Sequence, residues 1–270
     1  MTIRNYKATR FEGTLNQLVK DDLTVEEAIQ IKINGSPYTV TMRTPGNMKE
    51  LVRGLLYSEQ IYQGQEEPQM QVEKVNDDGA VLVVDVIIDE SLLGPGYLNE
   101  RSILSVSSCG ICGKRELEDL AVSGSPIPSK ETIDITKVND LFSKMEDHQK
   151  TFLKSGGSHA SAAFNQSGAL LTIMEDIGRH NAVDKVIGSL LLKEELGQAL
   201  IILASGRLSY EIVTKTYMAG IPILASVSAP SSLAVDYASA LGITLLAFCR
   251  GTNATVYSHP ERIEKEKPFK

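Results

Sequence analysis

The feature that most constrains the fold is an alternation in residues 169–253. Short apolar runs at Ala169–Met174, Ala199–Ala204, Pro222–Ala225 and Ile243–Phe248 are separated by stretches of helical spacing. Those stretches are Asn181–Glu195, a segment ending at Ala219 and another ending at Leu241. Strand–loop–helix, repeated and closed by a strand, specifies a parallel sheet flanked by helices. Strands of such sheets are buried on both faces, which accounts for runs unbroken by polar residues. Ligands of these sheets bind beyond the carboxyl ends of the strands. The loops at 175–180, 205–209, 226–231 and 249–253 leave those ends, and they carry most of the unusual polar residues of this half.

The first half reads as β-rich. Gln30–Met42 alternates around Asn34-Gly35, a hairpin turn signal. Gly46–Gln60 has helical spacing, with Leu51, Leu55 and Leu56 on one face. Met70–Lys74 and Ala80–Asp89 form a second strand pair across Asn76-Asp77-Asp78-Gly79, and Arg101–Val106 is a further candidate strand. A Pro-, Ser- and Gly-rich connector from Gly124 to Asp134 precedes a helical stretch at Val138–Gln149. The expected organisation is a smaller β-rich N-terminal domain, residues 1–130, and an α/β domain with a mainly parallel sheet, residues 131–270. A chain of 270 residues accommodates two such units at roughly 100–200 residues each.

Composition removes several classes of function. With 42% hydrophobic and 23% charged residues the chain is globular rather than disordered. A net charge of −7 argues against an overall nucleic-acid footprint. The longest apolar runs fall well short of the roughly 20 residues that span a membrane, and residues 1–7 lack a secretory apolar core. A cytosolic protein is expected. Three cysteines are too few and too odd in number for a disulfide scaffold.

Two of those cysteines stand in Ser107-Ser108-Cys109-Gly110-Ile111-Cys112-Gly113-Lys114-Arg115. The glycines leave the sulfurs unguarded. Lys114, Arg115 and the start of a helix over Lys114–Leu120 would favour thiolate, the nucleophilic form. An exposed thiolate can take up sulfur as a persulfide. A dithiol–disulfide site is a second reading of the same spacing. Zinc would need four ligands, and no second pair stands at finger spacing, so no metal site is expected. Cys249 ends an apolar strand and reads as a small buried hydrophobe.

The segment Glu175-Asp176-Ile177-Gly178-Arg179-His180-Asn181-Ala182-Val183-Asp184-Lys185 packs acid, base and imidazole around a helix start. Arg179 can grip a phosphate or carboxylate by two prongs, and His180 can move a proton near neutral pH. The same residues also suit a capped helix start with a salt bridge. Ser205-Gly206-Arg207 places a glycine and a guanidinium between a strand end and a helix N-terminus, the logic of an anion cradle. Phe248-Cys249-Arg250-Gly251-Thr252-Asn253 repeats that chemistry. Neither is a Walker or a Rossmann fingerprint. Together they point to a phosphate-bearing ligand. His159, His148 and His259 read as structural, surface and turn residues.

These motifs resemble the FdhD/NarQ family, the formate dehydrogenase accessory sulfurtransferases. The matching stretches are Ser108–Gly113, Gly156–His159, Glu175–Lys185, Ala204–Arg207, Ala219–Ser226, Ser228–Pro230 and Val256–Arg262. The resemblance implies a sulfur carrier that takes sulfur from a cysteine desulfurase. The sulfur would pass to the molybdenum cofactor in its bis-molybdopterin guanine dinucleotide form, destined for formate dehydrogenase. It implies a persulfide on Cys109 with Cys112 assisting, and a guanine dinucleotide arm held by Phe248 to Asn253. It also implies a homodimer and a three-layer, cytidine-deaminase-like fold for the α/β domain. Deaminase chemistry does not follow, because His159 is followed by Ala160 and Ser161 rather than by the needed His-x-Glu. A cofactor-binding chaperone without sulfur chemistry and a dithiol oxidoreductase remain the competing readings.

Overall fold

The structure is a computed structural model that describes residues 1–98 and 124–264. Cys109, Cys112, the candidate strand Arg101–Val106 and the candidate helix Lys114–Leu120 lie outside the described residues.

The chain opens with an antiparallel ribbon of β1 (Ile3–Glu12) and β2 (Leu15–Thr24), exposed on both faces. A four-stranded sheet follows, built from β3 (Glu27–Ile33), β4 (Ser36–Arg43), β5 (Gln69–Val75) and β6 (Val81–Ile87) in the order β4-β3-β6-β5. The hairpin between β3 and β4 turns at Asn34 and Gly35, both with positive φ (49° and 79°), as expected for a two-residue turn matched to strand twist. Alternate residues Ile29, Ile31 and Ile33 are fully buried beneath α1 (Met48–Ser58). Leu51, Val52, Leu55 and Leu56 of α1 complete this core. Each such side chain contributes about 1.5–3 kcal/mol by leaving water. A short helix, α2 (Pro95–Leu98), ends this region.

The second half contains α3 (Ile135–Glu146), α4 (Lys150–Ser155) and a six-stranded sheet. A small parallel bridge between β7 (Ile133–Asp134) and β14 (Ile263–Glu264) ties its two ends. The sheet strands are β8 (His159–Asn165), β9 (Leu170–Asp176), β10 (Ala199–Ala204), β11 (Ile223–Ser226), β12 (Thr244–Arg250) and β13 (Asn253–Ser258). Their order is β13-β12-β11-β10-β8-β9. Helices α5 (Arg179–Leu192), α6 (Tyr210–Met218) and α7 (Ser232–Leu241) pack on one face, and α3 packs on the other.

The expected α/β alternation is present, but the sheet is mixed rather than mainly parallel. Only β10–β11 and β11–β12 pair in parallel; β8 and β13 run antiparallel to their neighbours. The crossover from β9 through α5 to β10 passes over β8, so β9 and β10 share a direction without touching. The reason lies in β8. Its sequence, His-Ala-Ser-Ala-Ala-Phe-Asn, lacks the β-branched residues that announce a strand, yet small side chains suit a strand buried on both faces. The carboxyl ends of β9 to β12 and the start of β8 therefore lie along one sheet edge.

The two halves meet where α1 crosses α5 at a glycine pair. A Cβ on Gly54 would stand 1.8 Å from the Asp184 carbonyl oxygen, and one on Gly188 would stand 1.8 Å from that of Glu50. No other residue permits this approach. Among the described residues, no helix is long and apolar enough to cross a membrane.

Candidate functional site

The polar block Glu175–Lys185 divides into two sets of residues with different roles. Glu175 accepts from the backbone N–H groups of Thr151 (2.7 Å) and Phe152 (2.8 Å) and from Ser158 (2.9 Å), capping the first turn of α4. Asp176 is fully buried and pairs with the buried Lys185 at 2.7 Å. It also accepts from the backbone N–H groups of Thr44 (3.1 Å) and Gly178 (2.8 Å) and from Asn181 (3.0 Å). Asn181 donates onward to the Met42 carbonyl at 2.7 Å, and Lys185 to that of Thr44 at 3.1 Å. Asp184 accepts from Ser58 (2.7 Å) and Lys215 (2.8 Å), and Lys215 also reaches Glu59 at 3.1 Å. Burial works against the Lys215 charge, but Asp184 and Glu59 outweigh it and hold the ammonium above its ordinary range. Asp176, Asn181, Asp184 and Lys185 of the block, with Lys215, thus dock the N-terminal sheet and α1 onto the second half.

Arg179 and His180 remain, at the first turn of α5. They meet the loop after β10. A Cβ on Gly206 would lie 3.1 Å from His159 Nδ1 and 3.2 Å from the Arg179 Cβ, so glycine lets the imidazole and the Arg179 stem close on this turn. Arg207, next along, is exposed. Among the described residues, Arg179 Nε is buried without a hydrogen-bond partner, and Arg207 makes no hydrogen bond or ion pair. His180 is committed: its Nε2 lies 2.9 Å from Glu211 Oε2 and 3.1 Å from Ser209 Oγ. Burial would raise the Glu211 carboxyl, but His180 and Ser209 outweigh that effect and hold it below its ordinary value. Ser205 is structural, since its hydroxyl accepts from the Ala160 N–H at 2.9 Å and its N–H donates to the Ala160 carbonyl.

Helix ends add to this positive field. Helix α7 caps itself through Ser231, which accepts from the Ala234 N–H at 3.2 Å. Helices α5 and α6 start at Gly178 and Ser209 with no side-chain cap, both beside the Arg179–Gly206–Arg207 cluster, and the first turn of α6 also carries the Glu211 carboxylate that pairs with His180. Uncapped N–H groups and the helix dipole favour an anion there.

The sequence pattern separates Phe248–Asn253 from this cluster by one intervening strand, and the structure keeps them separate. The ends of β10 and β12 flank β11, which puts them about 10 Å apart at ordinary strand spacing. The loops between them are joined crosswise: Ser226 Oγ donates to the Gly206 carbonyl at 2.7 Å, and Arg250 Nε donates to that of Val227 at 3.0 Å. Phe248 bulges with φ +55° and is 45% exposed. Gly251 turns the chain at φ +60°, and Thr252 and Asn253 are exposed. A groove of about 410 Å³ lies on the α3 side, between Cys249, Arg250 and Gly251 and the side chains of Asn139, Asp140, Ser143 and Glu146. None of Arg179, His180 or Arg207 lines it. The Cys249 thiol packs into the core, and burial pushes it up to about 11, so it is not a nucleophile at neutral pH.

Sequence reasoning passed over His159. It lies at the first residue of β8 beside Gly206 and Arg179, and the weakness of β8 as a strand signal concealed that position. His148 and His259 behave as read, the one exposed and bonded to the Lys144 carbonyl, the other in a turn at φ +49°. No group of three potential metal ligands occurs among the described residues.

The described residues form a mixed α/β protein with arginines at the carboxyl edge of its six-stranded sheet. The family model described as the FdhD/NarQ family matches residues 24–264, and the chain belongs to that family. It is 43% identical over 256 residues to a Mycobacterium tuberculosis protein named sulfur carrier protein FdhD, covering 90% of this chain and 92% of that one. A protein of the same name from Sulfolobus acidocaldarius is 39% identical over 265 residues, covering 98% and 100%. In fold, the chain is similar to the crystal structure of a candidate formate dehydrogenase accessory protein from Desulfotalea psychrophila. The TM-score is 0.76 at 24% identity, covering 98% of this chain and all of that one.

Proposed function

We propose that this protein is a sulfur carrier. In this reading a cysteine desulfurase loads Cys109 with a persulfide, and the sulfur passes to a molybdenum cofactor of the bis-molybdopterin guanine dinucleotide type. Formate dehydrogenase then receives that cofactor. The observation that carries the reading is the family match over residues 24–264, which spans both the cysteine pair and the cationic sheet edge. The relatives named as sulfur carriers support it.

The chemistry balances on this chain's own thiols. Cys109 thiolate attacks the outer sulfur of the donor persulfide, and the donor's cysteine leaves as thiolate. One sulfur moves without net oxidation. Release of that sulfur as sulfide needs two electrons. Cys112 thiolate supplies them by attacking the inner sulfur, which forms a Cys109–Cys112 disulfide and expels sulfide.

The substrate is a pyrophosphate dinucleotide, and the sheet edge suits its parts. Arg179, Arg207 and the uncapped starts of α5 and α6 around Gly206 suit a phosphate. His180 and Ser205 hold that edge in shape. In the groove, the carboxylates of Asp140 and Glu146 suit the N–H groups of a guanine, beside Phe248, Cys249, Arg250, Gly251, Thr252 and Asn253. The same reading takes the protein as a cytoplasmic homodimer. It divides the chain near residue 130, and it likens the α/β half to cytidine deaminases.

Incubation with a cysteine desulfurase and cysteine, followed by mass spectrometry without reductant, tests the sulfur step. Added sulfur on the 109–112 peptide that is lost in Cys109→Ala is the expected result. Nucleotide binding without any added sulfur would favour a cofactor chaperone. A reversible disulfide with no added sulfur would favour a dithiol oxidoreductase.

A further inference from the structure

Two guanidinium groups and an imidazole cluster around Gly206: those of Arg179, Arg207 and His159. His159 differs from the other two in that it can change its charge. It is half-buried at the start of β8, and among the described residues its ring makes no hydrogen bond or ion pair. Asp176 of β9, its strand partner, is committed to Lys185, Thr44, Gly178 and Asn181. Arg179 and His180 face it from α5, and Arg207 faces it from the loop after β10. His180 is itself committed to Glu211 and Ser209. Its surroundings are thus cationic on two sides, with the one nearby carboxylate already in use. Burial and Arg179 keep the free imidazole neutral to lower pH than usual.

A bound anion reverses that balance. It neutralises the repulsion from Arg179 and Arg207, and it supplies the acceptor that the ring lacks. We propose that His159 is a proton-dependent positioning residue of the Arg179–Gly206–Arg207 site. Its ring takes a proton from solvent when a pyrophosphate diester enters, so that binding at this edge tightens as pH falls and loosens as pH rises. The ligand class rests on the reading above of a dinucleotide substrate; the proton coupling rests on the placement of His159. The coupling makes capture and release of the dinucleotide depend on proton supply at the edge, with no movement of the chain.

The test is calorimetric titration of the full chain with diguanosine pyrophosphate. Both of its phosphates are diesters, so its own charge does not change with pH. Titrations in buffers of different ionisation enthalpy count the protons taken up. The expected result is uptake of up to one proton, and an affinity that strengthens by up to about tenfold per pH unit on acidification through the neutral range. In His159→Gln and His159→Asn, with unchanged Tm, the uptake disappears and the affinity no longer depends on pH. Binding without proton uptake, or uptake that persists in both variants, overturns the role of His159 and leaves the anion site standing. Absence of binding by the wild type at every pH overturns both.

Discussion

Helix α5 meets its surroundings in two ways. Along its body, Asp184, Lys185 and Gly188 face α1, α6 and the Thr44 turn, and each buried charge has a counter-charge and hydrogen bonds. At its first turn, Gly178 leaves the helix uncapped, and among the described residues Arg179 has a buried nitrogen without a partner and Arg207 makes no ion pair. Both regions come from one polar block in the sequence. The difference teaches that a dense charged motif need not act as one unit: Asp176, Asn181, Asp184 and Lys185 hold the two halves together, and Arg179 takes no part in that packing.

The comparison is broken most severely at the body. Gly188→Leu drives a side chain into the Glu50 carbonyl, and the expected cost is about 3 kcal/mol or more. Asp184→Ala leaves Lys215 with the partly exposed Glu59 as its counter-charge and the Ser58 hydroxyl, and the expected cost is about 3–5 kcal/mol. In thermal unfolding each lowers Tm by about 10 °C. A change under a couple of degrees would show that the glycine crossing and the buried pair do not hold the halves together.

The same operation at the first turn has the opposite profile. Arg179→Ala or Arg207→Ala leaves stability within about 0.5 kcal/mol and weakens diguanosine pyrophosphate binding at least about tenfold. Gly206→Ala makes His159 and Arg179 give way by a few tenths of an ångström, so a smaller loss of affinity is expected at nearly constant Tm. If Gly206→Ala bound the dinucleotide as tightly as wild type, the ligand would not depend on how closely His159 and Arg179 meet at Gly206.

Acid sharpens the contrast least but separates two groups. Because His159 in the fold sits below its ordinary value of 6.5, the unfolded chain binds its proton first. The stability is present above that value and is lost as pH falls from it towards the folded value. Glu211 likewise contributes stability above its ordinary 4.5, lost as pH falls through its depressed folded value. Unfolding titrations of His159→Gln should therefore be flatter than wild type just below about pH 6.5 and parallel to it in stronger acid.

Much of this was legible in the sequence. Asn34-Gly35 located its hairpin, the leucines of Gly46–Gln60 located α1, and the apolar runs located β9 to β12. Local rules decide those features. The direction of β8 and the ribbon β1–β2 were not legible. An alanine-rich strand carries no β signal, and sheet order is set by tertiary packing rather than by local pattern. At the candidate site, the placement of Arg179, Gly206 and Arg207 at one sheet edge was legible, because each follows a strand that the pattern located. The placement of His159 beside them was not, because the pattern hid its strand. Asp176, Asp184 and Lys185 looked like chemistry and proved to be packing, a distinction visible only once Thr44, Ser58 and Lys215 are in place.

On the function proposed above, the first turn of α5, and not its matched body, receives a phosphate-bearing ligand. Calorimetric titration of diguanosine pyrophosphate into the wild type and into an Arg179→Ala/Arg207→Ala double variant tests it most directly. A dissociation constant raised about 100-fold in the double variant, at unchanged Tm, is the predicted result. Equal affinity in the two proteins would contradict it, and would place the ligand wholly in the groove beside Phe248 to Asn253.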